Sequence, residues 1–338
     1  MTPIGTASTT ASCCARAALA GNPSDMYGGA VVATPIPPVR ASVSVESADT
    51  FAIDGIDHAA ATVAELDELV ARPPTSGDRP LVAAAIVALA RETGIDIAPL
   101  RTTVTTAIPR SVGLAGSSAI VIAALRAVVA HSRDDAWATG GPLDPVRLAT
   151  IALVAERDLL GIKAGMQDRL VQAYEHTLLM DFSGAVANTR AVAAAEVSEL
   201  GHLPGVWFVA CRPDTAADSG AVHQAGDTKS KTFLKAMASL GDHARDAAQA
   251  IRSSDVGQLR RAVDATFDLR ASALLLDPAH VEMVDLARSG GASATYTGSG
   301  GAVAVVADDV GIASRVAERL RSIGCFLLPL GTGFALER

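Results

Sequence analysis

The segment Pro109-Arg-Ser-Val-Gly-Leu-Ala-Gly-Ser-Ser-Ala119 limits what this chain can fold into more than any other. It joins a Thr- and Val-rich run, Arg101 to Ile108, to an apolar run with helical spacing, Ser117 to His131. The first run reads as a strand that stops at Pro109, and the second as a helix. Glycines let the backbone between them pass close to a phosphate, while the free N–H groups and positive dipole end of the helix face the anion. Ser117 and Ser118 stand in the first helical turn, where a hydroxyl can bond a phosphate oxygen or reach a magnesium ion. Taken alone, the loop is equally compatible with an N-capped helix after a flexible turn. It is neither a Walker A loop nor a G-x-G-x-x-G fingerprint.

A chain of 338 residues suggests two packed domains. Its apolar residues are mainly Ala, Val, Leu and Ile, so the core is expected to be closely packed with small side chains. The net charge of −8 comes from 28 Lys plus Arg against 36 Asp plus Glu, and only four of the cations are Lys. That balance excludes a general nucleic-acid binder, although a few Arg in one cleft can still hold an anionic substrate. Cys13, Cys14, Cys211 and Cys325 form no C-x-x-C pair and no regular framework, so reduced thiols in a cytoplasm are expected. Residues 1–14 have neither a basic nor a continuous apolar stretch and read as a disordered tail rather than a signal peptide. The longest apolar segment, Ser118 to Ala130, is broken by Arg126 and too short to span a bilayer, so no membrane association is expected.

Along the chain, Ala30 to Thr34 and Arg40 to Glu46 read as two strands joined through Pro35 to Pro38. Pro80 to Thr93 has helical spacing with Asp78 as a cap, and Asp144 to Leu160 is a helix with Pro145 near its start and Gly161 at its end. Thr177 to Phe182 is a short strand. The segment Gly201-His-Leu-Pro-Gly205 reads as the domain boundary. Beyond it come a buried strand (Val206 to Cys211) and helices over Thr232 to Ile251 and Val256 to Leu275. A helix ending at Ser289 and strands Ala302 to Ala307 and Cys325 to Leu330 complete an α+β layer.

The Gly-rich segment resembles the second motif of GHMP kinases, P-x-x-x-G-L-x-x-S-[S]-A. Ala15-Arg-Ala-Ala-Leu-Ala-Gly-Asn-Pro-Ser-Asp-Met-Tyr-Gly-Gly29 is similar to the first motif, with Asn22-Pro23 replacing the usual Glu-His pair. Tyr296-Thr-Gly-Ser-Gly-Gly-Ala-Val-Ala304 resembles the third, although such turns are commonly just tight β connections. Glu156 to Gln172, with Met180-Asp-Phe-Ser183, is similar to a segment of the glucuronokinase branch. So are Asp218 to His223, Phe267 to Arg270 and Val281 to Ser289.

The resemblance implies a two-domain α+β fold, with a first domain like ribosomal protein S5 domain 2 (15–200) and a ferredoxin-like second domain (201–338). It implies ATP and Mg²⁺ as cofactors and a small-molecule alcohol as acceptor, most closely the anomeric hydroxyl of glucuronic acid. Residues expected at the nucleotide are Pro109, Gly113, Leu114, Ala115, Gly116, Ser117, Ser118, Ala119, Gly298, Ser299 and Gly300. Asp168 takes the role of catalytic base with Arg16 beside it, because an adjacent cation favours an ionised carboxylate. Ser118 and Glu156 take the magnesium. Without the resemblance, Glu156 and Asp168 would read as exposed or salt-bridged carboxylates.

Asn22, Ser24, Asp25 and Tyr27 fall where the sugar kinases of the superfamily contact the acceptor; an Asp beside Ser and Gly also makes an Asx-turn without any ligand. Arg270 reads either as a site for an acidic group or as a surface salt bridge, and His223 either as a substrate contact or as a structural loop residue. Other acceptors, a superfamily decarboxylase, a non-catalytic binding protein on the same fold and a homodimer stay open.

Overall fold

The computed structural model describes residues 8–54, 56, 59–72, 80–132, 143–184, 195–213 and 230–331. The cap expected at Asp78, the tail up to residue 7 and the segment Asp218 to His223 lie outside the described residues.

The chain forms two compact units that do not follow sequence order. The first takes residues up to Ala15, Arg40–Ile108 and Gly116–Tyr174; the second takes Arg16–Val39, Pro109–Ala115 and the chain from Glu175 onward. A single cut near residue 200, as expected from the Gly201–Gly205 stretch, does not describe this division. The reason is the length of two early strands, β1 (Thr9–Ala20) and β2 (Ala30–Ser47), each of which contributes residues to both units. β1 also corrects the expected tail. Residues 9–14 belong to a strand, with Cys13 and Cys14 fully buried, because this Thr- and Cys-containing run is covered rather than frayed.

β2 is one strand where two were expected. Its residues Ala41–Ser47 pair antiparallel with β3 (Leu100–Thr106), and its residues Ala30–Ala33 pair antiparallel with β4 (Leu178–Asp181). Pro35, Pro37 and Pro38 occupy the stretch between those two ladders, where a missing N–H breaks no bond to either partner.

In the first unit, α1 (Val63–Val70), α2 (Leu81–Thr93), α3 (Gly116–Ser132), α4 (Pro145–Leu153) and α5 (Gln167–Tyr174) accompany β3. Residues Val82 to Leu89 of α2 are all buried, which its Ala-rich sequence allows by letting neighbours approach on every side. Arg126 interrupts the apolar surface of α3 for a reason: its guanidinium donates to the carbonyls of Gln172 and Ala173 at the end of α5, where cations are favoured.

Asp144 caps α4 by accepting from the Arg147 N–H at 2.9 Å, with Pro145 at the first turn, as expected. The helix does not run on regularly to Leu160. From Val154 to Leu159 it widens into a π-helical segment, and Gly161 then takes a φ of 63°. This segment carries Glu156, fully buried, and π-bulges are frequent at functional sites.

The second unit holds a four-stranded antiparallel sheet of β6 (Val206–Cys211), β7 (Ser293–Tyr296), β8 (Ala302–Ala307) and β9 (Phe326–Leu330), in the order β7-β8-β6-β9. Helices α6 (Lys231–Arg252), α7 (Val256–Ala273), α8 (Pro278–Ser289) and α9 (Val310–Ser322) belong to the same unit. Phe208, Phe267, Met283, Tyr296, Val305, Val316 and Leu320 form the centre of its core. The short strand β5 (Glu196–Glu199) extends β4. The mixture of helices with antiparallel sheets is the α+β class expected. Among the described residues no helix is long and apolar enough to cross a membrane.

Candidate active site

Within the second unit, Arg16 draws the first and third Gly-rich regions together with the loop before α3. Its side chain is 4% exposed, and Nη1 donates to the carbonyl of Gly113 at 2.9 Å and to that of Thr297. The β1 backbone joins the same two places: Arg16 N–H donates to Leu114 O, and Ala18 N–H to Thr297 O.

The two turns touch so closely that only glycine fits. A Cβ on Gly298 would overlap the carbonyl of Gly113, and one on Gly113 would stand 2.9 Å from Gly300 O and 3.0 Å from Ser299 N. The loop also stores strain, since Ser111 and Ala115 adopt φ of 57° and 59° on either side of Gly113. Such a conformation costs a side-chain-bearing residue roughly 1–2 kcal/mol and is concentrated at functional sites. Pro109, Gly113, Leu114, Ala115, Gly298, Ser299 and Gly300 are therefore gathered in one unit by contacts that the sequence alone did not display.

The acceptor candidates lie on the turn after β1. Ser24 to Tyr27 form a 3₁₀ turn, preceded by a cis Asn22–Pro23 peptide bond. Asn22 is 2% exposed and its Nδ2 donates to Tyr296 O at 3.3 Å, while its Oδ1 has no partner. Ser24 is buried, and its hydroxyl donates to Ala30 O at 2.8 Å, which closes the turn. Asp25 is half-buried. Tyr27 sets its ring edge-on to Phe233 of α6 at 5.0 Å, and its hydroxyl pKa is raised by burial and by the Asp25 charge.

Arg270 is the main correction among the arginines. Instead of a surface salt bridge it is 1% exposed, with Nη2 donating to Gly298 O at 2.8 Å and its guanidinium 4.9 Å from the centre of the Tyr296 ring. Burial lowers its pKa to about 10, with the nearby Arg16 charge acting in the same direction. It remains a cation at neutral pH.

In the first unit, α3 begins at Gly116, whose Cα face lies over Ile108. Ser118 and Ala119 are buried in its first turn. The Ser117 hydroxyl donates to Glu156 Oε1 at 2.7 Å. The other oxygen, Oε2, accepts from Arg169 Nη2 in an ion pair whose side chains are 3% and 0% exposed. Arg169 Nη1 also donates to Gly165 O at 2.7 Å and lies 3.6 Å from Asp168 Oδ2. Asp168 itself, at the start of α5, keeps 21% of its side chain exposed.

Sequence reasoning missed Arg169. Its place directly after Asp168, one helical turn beyond Gly165, was the available signal. A carboxylate and a hydroxyl are hard oxygen donors, and magnesium is commonly held by one or two carboxylates together with substrate phosphates. The donor set at Glu156 and the two serines therefore fits magnesium.

Residues 80–176 match the family model described as GHMP kinases N terminal domain. The chain is 32% identical over 311 residues to Probable glucuronokinase 2 of Arabidopsis thaliana, covering 86% of this chain and 82% of that protein. It is 31% identical over 310 residues to Glucuronokinase 1 of the same plant, covering 86% and 83%. Among solved structures, the phosphomevalonate kinase of Streptococcus pneumoniae, in complex with phosphomevalonate and AMPPNP, superposes with a TM-score of 0.75 at 15% identity. That superposition covers 95% of this chain and 99% of the other, and it speaks for the fold. With homologues aligned over more than four-fifths of both sequences and the second Gly-rich motif inside the matched domain, this chain belongs to the GHMP kinase family.

Proposed function

We propose that this kinase transfers the terminal phosphoryl group of ATP to the anomeric hydroxyl of glucuronic acid, giving the 1-phosphate. The reaction class, ATP-dependent phosphoryl transfer to a sugar, follows from the family and its glucuronokinase relatives. The choice of acceptor is supported by the names of those relatives. The observation that carries the reading is Arg16, whose guanidinium holds the carbonyls of Gly113 and Thr297. With those carbonyls taken by a cation, the backbone N–H groups of both turns are the groups left to meet an anion.

Phosphoryl transfer needs positioning and charge neutralisation more than covalent help. Pro109 to Ala115 with Gly298 to Gly300, and the α3 terminus from Gly116 to Ala119, hold the phosphates. Glu156 with the hydroxyls of Ser117 and Ser118 would hold magnesium, which would supply positive charge to the phosphate oxygens. Arg169 orients the Glu156 carboxylate. Asp168 takes the proton from the attacking hydroxyl as its oxygen bonds the terminal phosphorus and the bond from that phosphorus to ADP breaks. Asn22, Ser24, Asp25 and Tyr27 shape the acceptor side. The four cysteines are free and buried, which supports a reducing, cytoplasmic setting.

Purified protein with ATP and magnesium is to be assayed for ADP release with glucuronic acid, galacturonic acid, glucose and mevalonate. The expected product is an acid-labile sugar 1-phosphate formed from glucuronic acid. Turnover confined to neutral sugars or to mevalonate would overturn the acceptor, and no acceptor-dependent ADP release would overturn the catalytic reading.

A further inference from the structure

Arg270 is a buried cation with no carboxylate partner among the described residues. Among the described residues, two of its three nitrogens, Nε and Nη1, have no partner, and Nη2 donates to the carbonyl of Gly298. The acids on its own helix are taken elsewhere: Asp264 and Asp268 both pair with Arg288. The cation Arg16 also acts on it, adding repulsion rather than compensation. Leaving a guanidinium withdrawn from water with donors unsatisfied is among the costlier arrangements in a protein, and a ligand that completes it is one physical reason to keep it.

The surroundings fit a ligand that carries both hydroxyls and a charge. Tyr296 connects Arg270 to the acceptor turn, because the guanidinium stacks on its ring and Asn22 Nδ2 bonds its carbonyl. Asn22 Oδ1 and the Tyr296 hydroxyl are likewise buried and without partners. Three residues linked through Tyr296 thus present two cationic donor nitrogens, a phenol and an amide oxygen with no partner among the described residues. All belong to one unit, and one of them lies on the turn expected to contact the acceptor.

We propose that Arg270 is the counter-charge for the carboxylate of a sugar-acid acceptor, and that Asn22 Oδ1 accepts from one of the same molecule's hydroxyls. This rests on the glucuronic acid reading above and adds to it the group that separates a uronic acid from a neutral sugar. A planar guanidinium suits a carboxylate, which it can hold through two parallel N–H bonds. Once that pair forms, the uncompensated charge beneath the Gly298 turn is neutralised. Acceptor binding and ordering of that turn are then linked through the Arg270 bond to Gly298 O.

The test compares the parent with Arg270→Met and Arg270→Lys, using glucuronic acid and the neutral glucuronamide as acceptors. In the parent, glucuronic acid without nucleotide should raise the thermal midpoint while glucuronamide should not. In Arg270→Met that shift should vanish, and the kcat/KM preference for the acid over the amide should fall by at least about thirty-fold, the loss typical when one partner of a buried charge pair is truncated. Arg270→Lys keeps the charge but not the fork, and should recover part of the preference; it also serves if the Met variant does not fold. An unchanged acid-over-amide preference in either folded variant overturns the proposal, as does a rise in KM for ATP with none for the acid. A parent that phosphorylates no uronic acid instead overturns the acceptor reading, so the two failures are distinguishable.

Discussion

Arg169 Nη2 and Glu156 Oε2 form an ion pair with 3% and 0% of the two side chains exposed, inside the first unit, which also holds the start of α3. Such a pair is a positioning device more than a source of net stability, because desolvation offsets much of its attraction. Removing one member is different, since the other is left charged in the interior. Arg169→Ala is therefore expected to lower unfolding free energy by about 3–5 kcal/mol, while the double change Glu156→Met with Arg169→Met should recover most of the loss without recovering activity. Urea unfolding of the three proteins checks this; a single variant as stable as the parent would show that the pair does not bear on folding.

Glu156→Gln keeps an oxygen for the Ser117 hydroxyl but removes the charge offered to a cation. The magnesium concentration giving half-maximal rate should rise by at least about tenfold, the scale seen when metal-site carboxylates or their supports are changed. A magnesium titration indistinguishable from that of the parent would move the metal to other ligands.

Asp168→Asn removes the proton acceptor proposed for the sugar hydroxyl without changing side-chain size. A fall in kcat of roughly 10²- to 10⁴-fold is expected, with ATP binding largely kept. Single-turnover kinetics on folded protein is the measurement, and near-parental turnover would exclude Asp168 as the base.

Gly298→Ala adds a methyl group where the Gly113 carbonyl already stands. Forcing the two turns apart should cost about 1–3 kcal/mol, which corresponds to a rise of roughly 5- to 150-fold in KM for ATP. Gly94→Ala is a suitable control, because its Cβ meets nothing within 4 Å although φ is 70°. It should destabilise the fold slightly and leave KM for ATP unchanged.

Asp181 at the end of β4 accepts two bonds from Arg245 of α6, at 2.8 and 3.1 Å. Those bonds lower its pKa from 3.8 to about 2. With the folded value depressed, the unfolded chain takes up its proton first as pH falls, so the stabilisation is complete above about pH 4 and is lost progressively toward pH 2. Because Arg245 is 39% exposed, the contribution is discounted to about 1 kcal/mol. Arg245→Ala should lower stability at pH 6 and differ little from the parent near pH 2; an equal difference at both pH values would refute the linkage.

Local signals were legible where the physics is local. Asp144 and Pro145 placed the start of α4, continuous apolar runs placed β6 and β8, and the strand–Gly-rich loop–helix order around residue 113 emerged with its boundaries nearly correct. β2 was read as two strands because proline normally ends one, and the sequence does not say that these prolines fall between two ladders. The widening of α4 into a π-helical segment was equally hidden, since neither Glu156 nor its neighbours breaks a helical pattern.

The sequence by itself determined the family, the reaction class and the three Gly-rich segments, because glycine spacing and helix-start chemistry act over a few residues. Only the tertiary structure decided that Ser117 bonds Glu156, that Arg169 sits on the other carboxylate oxygen, and that Arg270 is buried with its guanidinium on the Gly298 carbonyl. These are matters of which groups lose water together and which charges then face one another. That depends on residues brought into contact from distant parts of the chain, and no local pattern records it.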